Sequence, residues 1–311
     1  MSTASSTLDT HAWGDVDRRG YLVVPSFLSS EETSAFVDDY ARGALRQQVD
    51  YGTSTQILER PASNQIVEPI RAKIEAVLTR LREVTPLRAD TVLKVHYFAS
   101  EVFSYAWHQD MDFWAQDRRS LLNFYIPIKK LDPAKTNLSI VPNDVIASAE
   151  GAAGRFEGRG GRTLRSLGDG RTEVVDLGSS ERFFLGVDID GLAVTPELRE
   201  GDLLLLRGDV VHRTQDADTR RVAISIRVAD SSAIIERAAL LAGGSTKRRV
   251  MKALAEEYGS ILHCFEALGR EKVTIGELVR FRATPEGALA VTPDEIATLL
   301  ERARRSSARG G

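Results

Sequence analysis

Between residues 91 and 229 the chain sets down one short β-pattern after another and never inserts a regular helical period between them. TVLKVHYF (91–98) alternates Leu93, Val95 and Tyr97 with Lys94, His96 and Phe98, the period-two mark of a strand with two unlike faces. SLLNFYIPI (120–128), NLSIVP (137–142), GDLLLLRG (201–208) and RRVAISIRV (220–228) follow, each bounded by turn residues. Parallel strands need crossovers of a dozen or more residues, usually helical, and that rhythm is absent here. The pattern therefore predicts an antiparallel, mainly β protein with flanking helices, of the double-stranded β-helix (jelly roll, cupin-like) type.

The flanks read differently. GYLVVPSFLSSEE (20–32) predicts a strand, a turn at Pro25 and a helix, with Ser29 and Glu32 in capping-box spacing. Ile70, Ile74, Val77, Leu78 and Leu81 draw a helical stripe over 66–84. Residues 1–15 are polar and are expected to form a disordered tail, leaving 16–230 as the jelly-roll domain. Residues 231–311 return to helical patterns and are expected to pack on that domain or to pair two subunits as a homodimer. The last helix opens on a Thr292/Glu295 capping box. Residues 151–170 hold seven Gly and four Arg, and suggest a soft, lid-like insertion whose arginines meet substrate or solvent.

WHQD (107–110) raises the chemical question. In a strand, residues i and i+2 share a face, so His108 and Asp110 reach one point. GDLLLLRGDVVHRT (201–214) brings His212 to the end of another strand. Two His and one carboxylate on facing strands form a set that binds Fe(II) and leaves coordination positions for a cosubstrate and O2. With Cys264 the only cysteine among 311 residues, a thiolate metal site is excluded, and a reducing, cytoplasmic setting is expected. The opening residues carry no apolar leader core. A net charge of −3 gives no footprint for nucleic acid or an anionic membrane, which leaves a small-molecule substrate.

Taken in order, these pieces resemble the phytanoyl-CoA dioxygenase family of Fe(II)/2-oxoglutarate-dependent oxygenases. The matching segments are GYLVVPSFLSSEE, WHQD, LLNFYIPIKKLDPAKTNLSIVPND, GDLLLLRGDVVHRT and RRVAISIRV, over roughly residues 17–230. Pro142-Asn143-Asp144 stands where the family has a Pro-Gly-Ser-His turn. The resemblance implies Fe(II) on His108, Asp110 and His212, 2-oxoglutarate as cosubstrate, and release of succinate and carbon dioxide as a small molecule is hydroxylated. Asp110 fills the position that related halogenases leave open, which disfavours halogenation.

The resemblance further implies Arg221 as the partner of the far carboxylate of 2-oxoglutarate. Strand parity agrees, since Arg221, Ala223, Ser225 and Arg227 share one face and Val222, Ile224, Ile226 and Val228 the other. Arg220 is the competing choice. Lys94 and Asn123 are candidates to touch the cosubstrate, and His96, Trp114 and Arg227 to touch substrate. For each, an ordinary structural role is the other reading: a satisfied rim group, an edge residue or a core aromatic. The competing function is a metal-binding jelly roll without 2-oxoglutarate chemistry, such as an isomerase or a ligand-binding module, which has no need of a buried Arg221.

Overall fold

Strict alternation on β-strands obliges the chain to cover one face with helices and close the other around an interior, and it does both. The computed structural model describes residues 10–42, 45–50, 53–58, 60–100, 107–110, 121–135, 137–156, 161–176, 179–214, 221–242, 247–248, 251–252, 254–289 and 291–309. In chain order the elements are α1 (Thr10–Arg19), β1 (Tyr21–Val24), α2 (Ser30–Arg42), β2 (Leu45–Asp50), β3 (Thr53–Leu58), α3 (Arg60–Val84), β4 (Thr91–Ser100), β5 (Trp107–Gln109), β6 (Leu121–Lys130) and β7 (Leu138–Val141). They continue with α4 (Asn143–Ala147), β8 (Arg162–Ser166), β9 (Thr172–Asp176), β10 (Arg182–Leu185), β11 (Leu203–Arg207), β12 (Val211–Thr214) and β13 (Arg221–Ala229). The last are β14 (Ile234–Glu236), α5 (Arg237–Leu241), α6 (Ala255–Leu268), β15 (Lys272–Thr274), α7 (Ile275–Arg282) and α8 (Pro293–Arg309).

Two antiparallel sheets make the body of the jelly roll. The larger runs β1-β11-β6-β13-β4-β3-β2 and the smaller β10-β9-β8-β5-β12-β7. On the larger sheet, Val95 and Tyr97, Leu122 to Ile128 at every second position, Leu203 and Leu205, and Val222 to Val228 at every second position face outward. They pack with Trp13 and Val16 of α1 and with Ile70, Ile74, Val77, Leu78 and Leu81 of α3. Each fully buried aliphatic side chain contributes about 1.5–3 kcal/mol, so this layer fixes the parity of the whole sheet. What points the other way is forced into the interior: Lys94 and His96 on β4, Asn123 and Tyr125 on β6, and Arg221, Ala223, Ser225 and Arg227 on β13.

Both capping boxes form. Glu32 accepts from the Ser29 backbone at 2.7 Å while Ser29 Oγ accepts from the Glu32 N–H, and Thr292 and Glu295 do the same. Among the described residues no helix is long and apolar enough to cross a membrane.

Three expectations are corrected. The polar tail is shorter than 1–15, because α1 starts at Thr10 and buries Trp13 completely. Two large apolar residues at i and i+3, Trp13 and Val16, were enough to dock it. The described parts of 151–170, residues 151–156 and 161–170, are not a soft insertion. Within them Ala152 and Phe156 are buried in the outer core of the small sheet, β8 is an internal strand of that sheet, and Gly168 and Gly170 turn the β8–β9 hairpin at positive φ. Arg162 stacks over Phe156 and Phe183, Arg155 over Phe183, and Arg165 pairs with Glu173, so these arginines are structural; Arg159 lies outside the described residues. Finally, Ile234-Ile235 is not helical. It pairs with Lys272–Thr274 as a small ribbon, as β-branched residues favour.

The C-terminal segment has its own core, in which Ile235, Tyr258, Ile261, Leu262, Phe265, Leu278, Phe281 and Ile296 are buried. Leu121 of β6 and Ala229 of β13 belong to the same cluster, which ties the extension to the barrel.

Candidate metal centre

The strands β5 and β12 are neighbours in the small sheet, and their register sets His108 directly opposite His212. Parity turns both rings inward, since Trp107 and Val211 lie in the outer core while Gln109 reaches back to the Asp209 carbonyl at 2.6 Å. The two imidazoles lie 4.4 Å apart between centroids. Asp110, at the end of β5, closes the set, with Oδ1 3.9 Å from His212 Nε2. One ligand atom from each of the three lies within 4.8 Å of the others. An ion with bonds of about 2.0–2.2 Å at right angles needs donors about 3 Å apart, so a side-chain adjustment of about 1 Å suffices and the set fits a divalent metal.

Neighbouring groups hold the donors in their ligating forms. His212 Nδ1 lies 3.1 Å from the Val210 carbonyl, which makes it the N–H donor and turns the lone pair of Nε2 inward. Asn123 Nδ2 donates to Asp110 Oδ2 at 2.6 Å, and Ser225 Oγ donates to Asn123 Oδ1 at 2.8 Å, which fixes the amide the right way round. Arg227 Nη2 donates to Asp110 Oδ1 at 2.8 Å. Burial pushes the Asp110 carboxyl up, but Arg227, His212, His108 and the Asn123 hydrogen bond outweigh it and hold it well below the usual carboxylate range.

The interior of the large sheet is ordered in rows across β4, β13 and β6. Lys94, Arg227 and Asn123 form one row; His96, Ser225 and Tyr125 the next; Arg221 lies opposite Ser100 and Lys130 further on. Arg221 is 1% exposed, and its guanidinium lies 5.6 Å from the centroid of the Tyr125 ring. Burial lowers its pKa, with Tyr125 acting in the opposite sense. Lys130, beside it, is pulled down to about 8, first by burial and then by Arg221. Its ammonium donates to the carbonyls of Pro133 and Leu198 and to Asn137.

Two buried polar atoms of the middle row, Tyr125 Oη and His96 Nδ1, have no hydrogen-bond partner among the described residues. A buried, unsatisfied polar atom costs about 1–3 kcal/mol, so these two atoms are the candidates in this row to meet a polar ligand. Tyr125 sits on the Arg221 side. His96 feels Lys94, Arg227, Asp110 and Glu257, and burial together with the two cations keeps its ring neutral.

His108, Asp110, His212, Arg221, Asn123, His96 and Arg227 thus face one interior. Two assignments shift. Asn123 bonds the Asp110 carboxylate, so its contact is to a candidate metal ligand. Lys94 donates to Glu257 Oε2 at 2.6 Å and is committed to that ion pair. Trp114 and Arg220 lie outside the described residues. Glu257, on α6, was missed, as was Tyr125; the parity of β6 was the available signal for Tyr125, and nothing in the sequence pointed to Glu257.

No family model matches the chain, and no curated protein matches it. Among solved structures it is similar to the non-heme alpha-ketoglutarate-dependent carbocyclase SnoK from nogalamycin biosynthesis, at 17% identity over 75% of this chain and 88% of that one, with a TM-score of 0.49. HygX from Streptomyces hygroscopicus, solved with nickel and 2-oxoglutarate bound, is 16% identical over 72% and 88%, with a TM-score of 0.49. A Pseudomonas putida prolyl-4-hydroxylase is 13% identical over 71% and 97%, with a TM-score of 0.47. What this chain's site can do follows from its own side chains.

Proposed function

We propose that this chain is an Fe(II)/2-oxoglutarate-dependent oxygenase of the phytanoyl-CoA dioxygenase kind. It hydroxylates a small-molecule metabolite or natural-product intermediate and releases succinate and carbon dioxide. The observation that carries this reading is one interior holding both halves of the required apparatus. His108, Asp110 and His212 converge at one end, and the buried Arg221 guanidinium lies beyond Tyr125 at the other. A metal-binding jelly roll without 2-oxoglutarate chemistry accounts for the first half and not the second.

When bound, Fe(II) with 2-oxoglutarate supplies the oxygen activation. The rest is the work of this chain's groups. His108, His212 and Asp110 would hold the metal as a two-His, one-carboxylate set. The Val210 carbonyl fixes the His212 tautomer, and Asn123, oriented by Ser225, aims the Asp110 carboxylate. Arg221 would meet the far carboxylate of the cosubstrate with its planar fork, and Tyr125 Oη would be a second donor toward that group. The aliphatic layer behind the sheet keeps this end dry and so strengthens each polar contact.

The test is anaerobic titration of Mn(II)-loaded protein with 2-oxoglutarate, followed by aerobic assay of Fe(II)-loaded protein for succinate. Binding and slow substrate-free succinate formation, both abolished in His212→Ala, are expected. No binding of 2-oxoglutarate to metal-loaded protein overturns the reading.

A further inference from the structure

The short connection between β11 and β12 grips both strands that carry the candidate metal ligands. The Val210 N–H bonds the Arg207 carbonyl at 3.0 Å and closes a β-turn over Gly208 and Asp209. Across that turn the Arg207 guanidinium meets the Asp209 carboxylate with two arms of its fork, Nε to Oδ1 at 2.6 Å and Nη2 to Oδ2 at 2.8 Å. The two side chains are 5% and 2% exposed. Asn143 of α4 donates to Asp209 Oδ1 at 3.2 Å. Arg207 Nη1 donates to the Asp17 carbonyl of α1 at 2.5 Å and lies 3.3 Å from the Asp17 carboxylate. Backbone bonds seat the turn as well: the Arg207 N–H donates to the Gly20 carbonyl and the Gly208 N–H to the Leu121 carbonyl, both at 2.8 Å.

The two carbonyls that follow, those of Asp209 and Val210, each hold a side chain of the metal centre's strands. The Val210 carbonyl takes the His212 ring at Nδ1, 3.1 Å away, and the Asp209 carbonyl takes Gln109 Nε2 at 2.6 Å. Gln109 stands between His108 and Asp110, and strand alternation turns its side chain away from theirs. Holding its amide therefore fixes which face of β5 the two candidate ligands take.

We propose that the buried Arg207–Asp209 pair is a positioning element of the metal centre, locking the turn whose two carbonyls set the His212 ring and the facing of β5. This rests on the metal reading above and extends it from the ligands to the groups that aim them. The competing account is a pair that only stabilises the fold. Desolvation offsets much of the attraction in a buried ion pair, so stability alone is a weak reason for one. A bidentate arginine–carboxylate contact adds geometric precision, which a ligand-bearing turn needs. Outer partners of metal ligands typically change metal affinity by about 10- to 100-fold, and Asp209, acting through backbone carbonyls, belongs at the lower end.

The test uses full-length protein and Co(II) alone. Co(II) affinity is read by competition with a chromophoric chelator, and metal-free stability by urea unfolding. The ring N–H protons of the ligating imidazoles are followed as paramagnetically shifted NMR signals exchanging with solvent. Asp209→Asn keeps the shape of the side chain and removes one acceptor of the fork. Its Co(II) Kd should rise about ten-fold, and the slowest-exchanging shifted N–H signal should exchange faster. Gln109→Met keeps the ion pair and removes the amide that reaches the turn, and its Co(II) Kd should rise by a similar factor. A purely structural pair gives a different result. Asp209→Asn then loses urea resistance while Co(II) Kd in both variants, and N–H exchange in Asp209→Asn, stay within about two-fold of wild type, which overturns the proposal. If Asp209→Asn does not fold, Gln109→Met decides alone by the same Kd criterion. Wild-type protein that takes up no stoichiometric Co(II) overturns the metal reading and this one with it. Wild-type protein that binds Co(II) no better than both variants overturns only this one.

Discussion

Arg221→Met separates the two things a buried arginine can do. The side chain is 1% exposed, and burial works against its charge. Arg221 also has a further interaction within the protein, so the melting temperature of metal-loaded, ligand-free Arg221→Met reads its structural part. Binding is read separately. Loss of a charge-assisted carboxylate contact in a desolvated site costs about 2–5 kcal/mol, and near-complete burial puts this residue in the upper half of that range. At 1.4 kcal/mol per decade, the 2-oxoglutarate Kd should rise by roughly 300- to several thousand-fold.

The two effects meet in one melting experiment. At a 2-oxoglutarate concentration of 100 times the wild-type Kd, ligand binding stabilises the wild type by about 2.7 kcal/mol. For a domain of this size that is a rise in Tm of roughly 5–10 °C. The variant at the same concentration should show almost none, while its metal affinity, by calorimetry, stays within a few-fold of wild type. Arg221→Lys should recover only part of the shift, because an ammonium lacks the planar fork. A 2-oxoglutarate Kd changed by less than about five-fold refutes the assignment and makes Arg221 a structural cation.

Asn123→Leu leaves Asp110 Oδ2 without its amide donor, and metal affinity should fall by about 10- to 100-fold, measured by competition with a chromophoric chelator. Ser225→Ala, one contact further out, should show a smaller loss in the same assay. His108→Ala and His212→Ala should each abolish stoichiometric metal binding with the fold kept, by circular dichroism. Glu257→Gln addresses pH. The folded Glu257 carboxyl sits below its ordinary value of 4.5, so its contribution is fully present above that value and is lost as pH falls through it toward the folded pKa. The side chains of Lys94 and Glu257 are 22% and 11% exposed, so breaking the pair should cost about 3 kcal/mol at pH 7. The gap between wild type and variant in chemical denaturation should shrink below pH 4.5; a gap constant with pH contradicts the ion pair.

The site was legible in the sequence wherever two positions on one strand had to share a face. His108 and Asp110 need only i and i+2, and Arg221, Ser225 and Arg227 need only the apolar partners between them. The cross-strand facts were harder. That His212 lies opposite His108, or that Asn123 reaches Asp110 while its own carbonyl oxygen holds Ser225, depends on register, and register follows from the assembled sheets. The 151–170 segment misled because its glycines signal softness locally, while Leu164 and the partners on β5 and β9 supply the order from outside. Glu257 lies 163 residues from Lys94, on a helix whose polar positions look like any solvated face.

The strand β13 shows why the cosubstrate and substrate readings stand on one measurement of parity. Its outward residues, Val222, Ile224, Ile226 and Val228, are at most 9% exposed and lie under α1 and α3. A slip of one residue would carry all four into the interior and turn Arg221, Ser225 and Arg227 into the helical layer, exposing charge to hydrocarbon at both ends. The helices therefore do more than cover the sheet. By holding four aliphatic side chains outward, they fix two guanidiniums on one inward face, with the hydroxyl that orients Asn123 between them. One of those cations lies on the Tyr125 side of the candidate metal ligands and the other touches Asp110 itself. A mutation in α3 that let β13 shift would displace Arg221, Ser225 and Arg227 together without touching any of them.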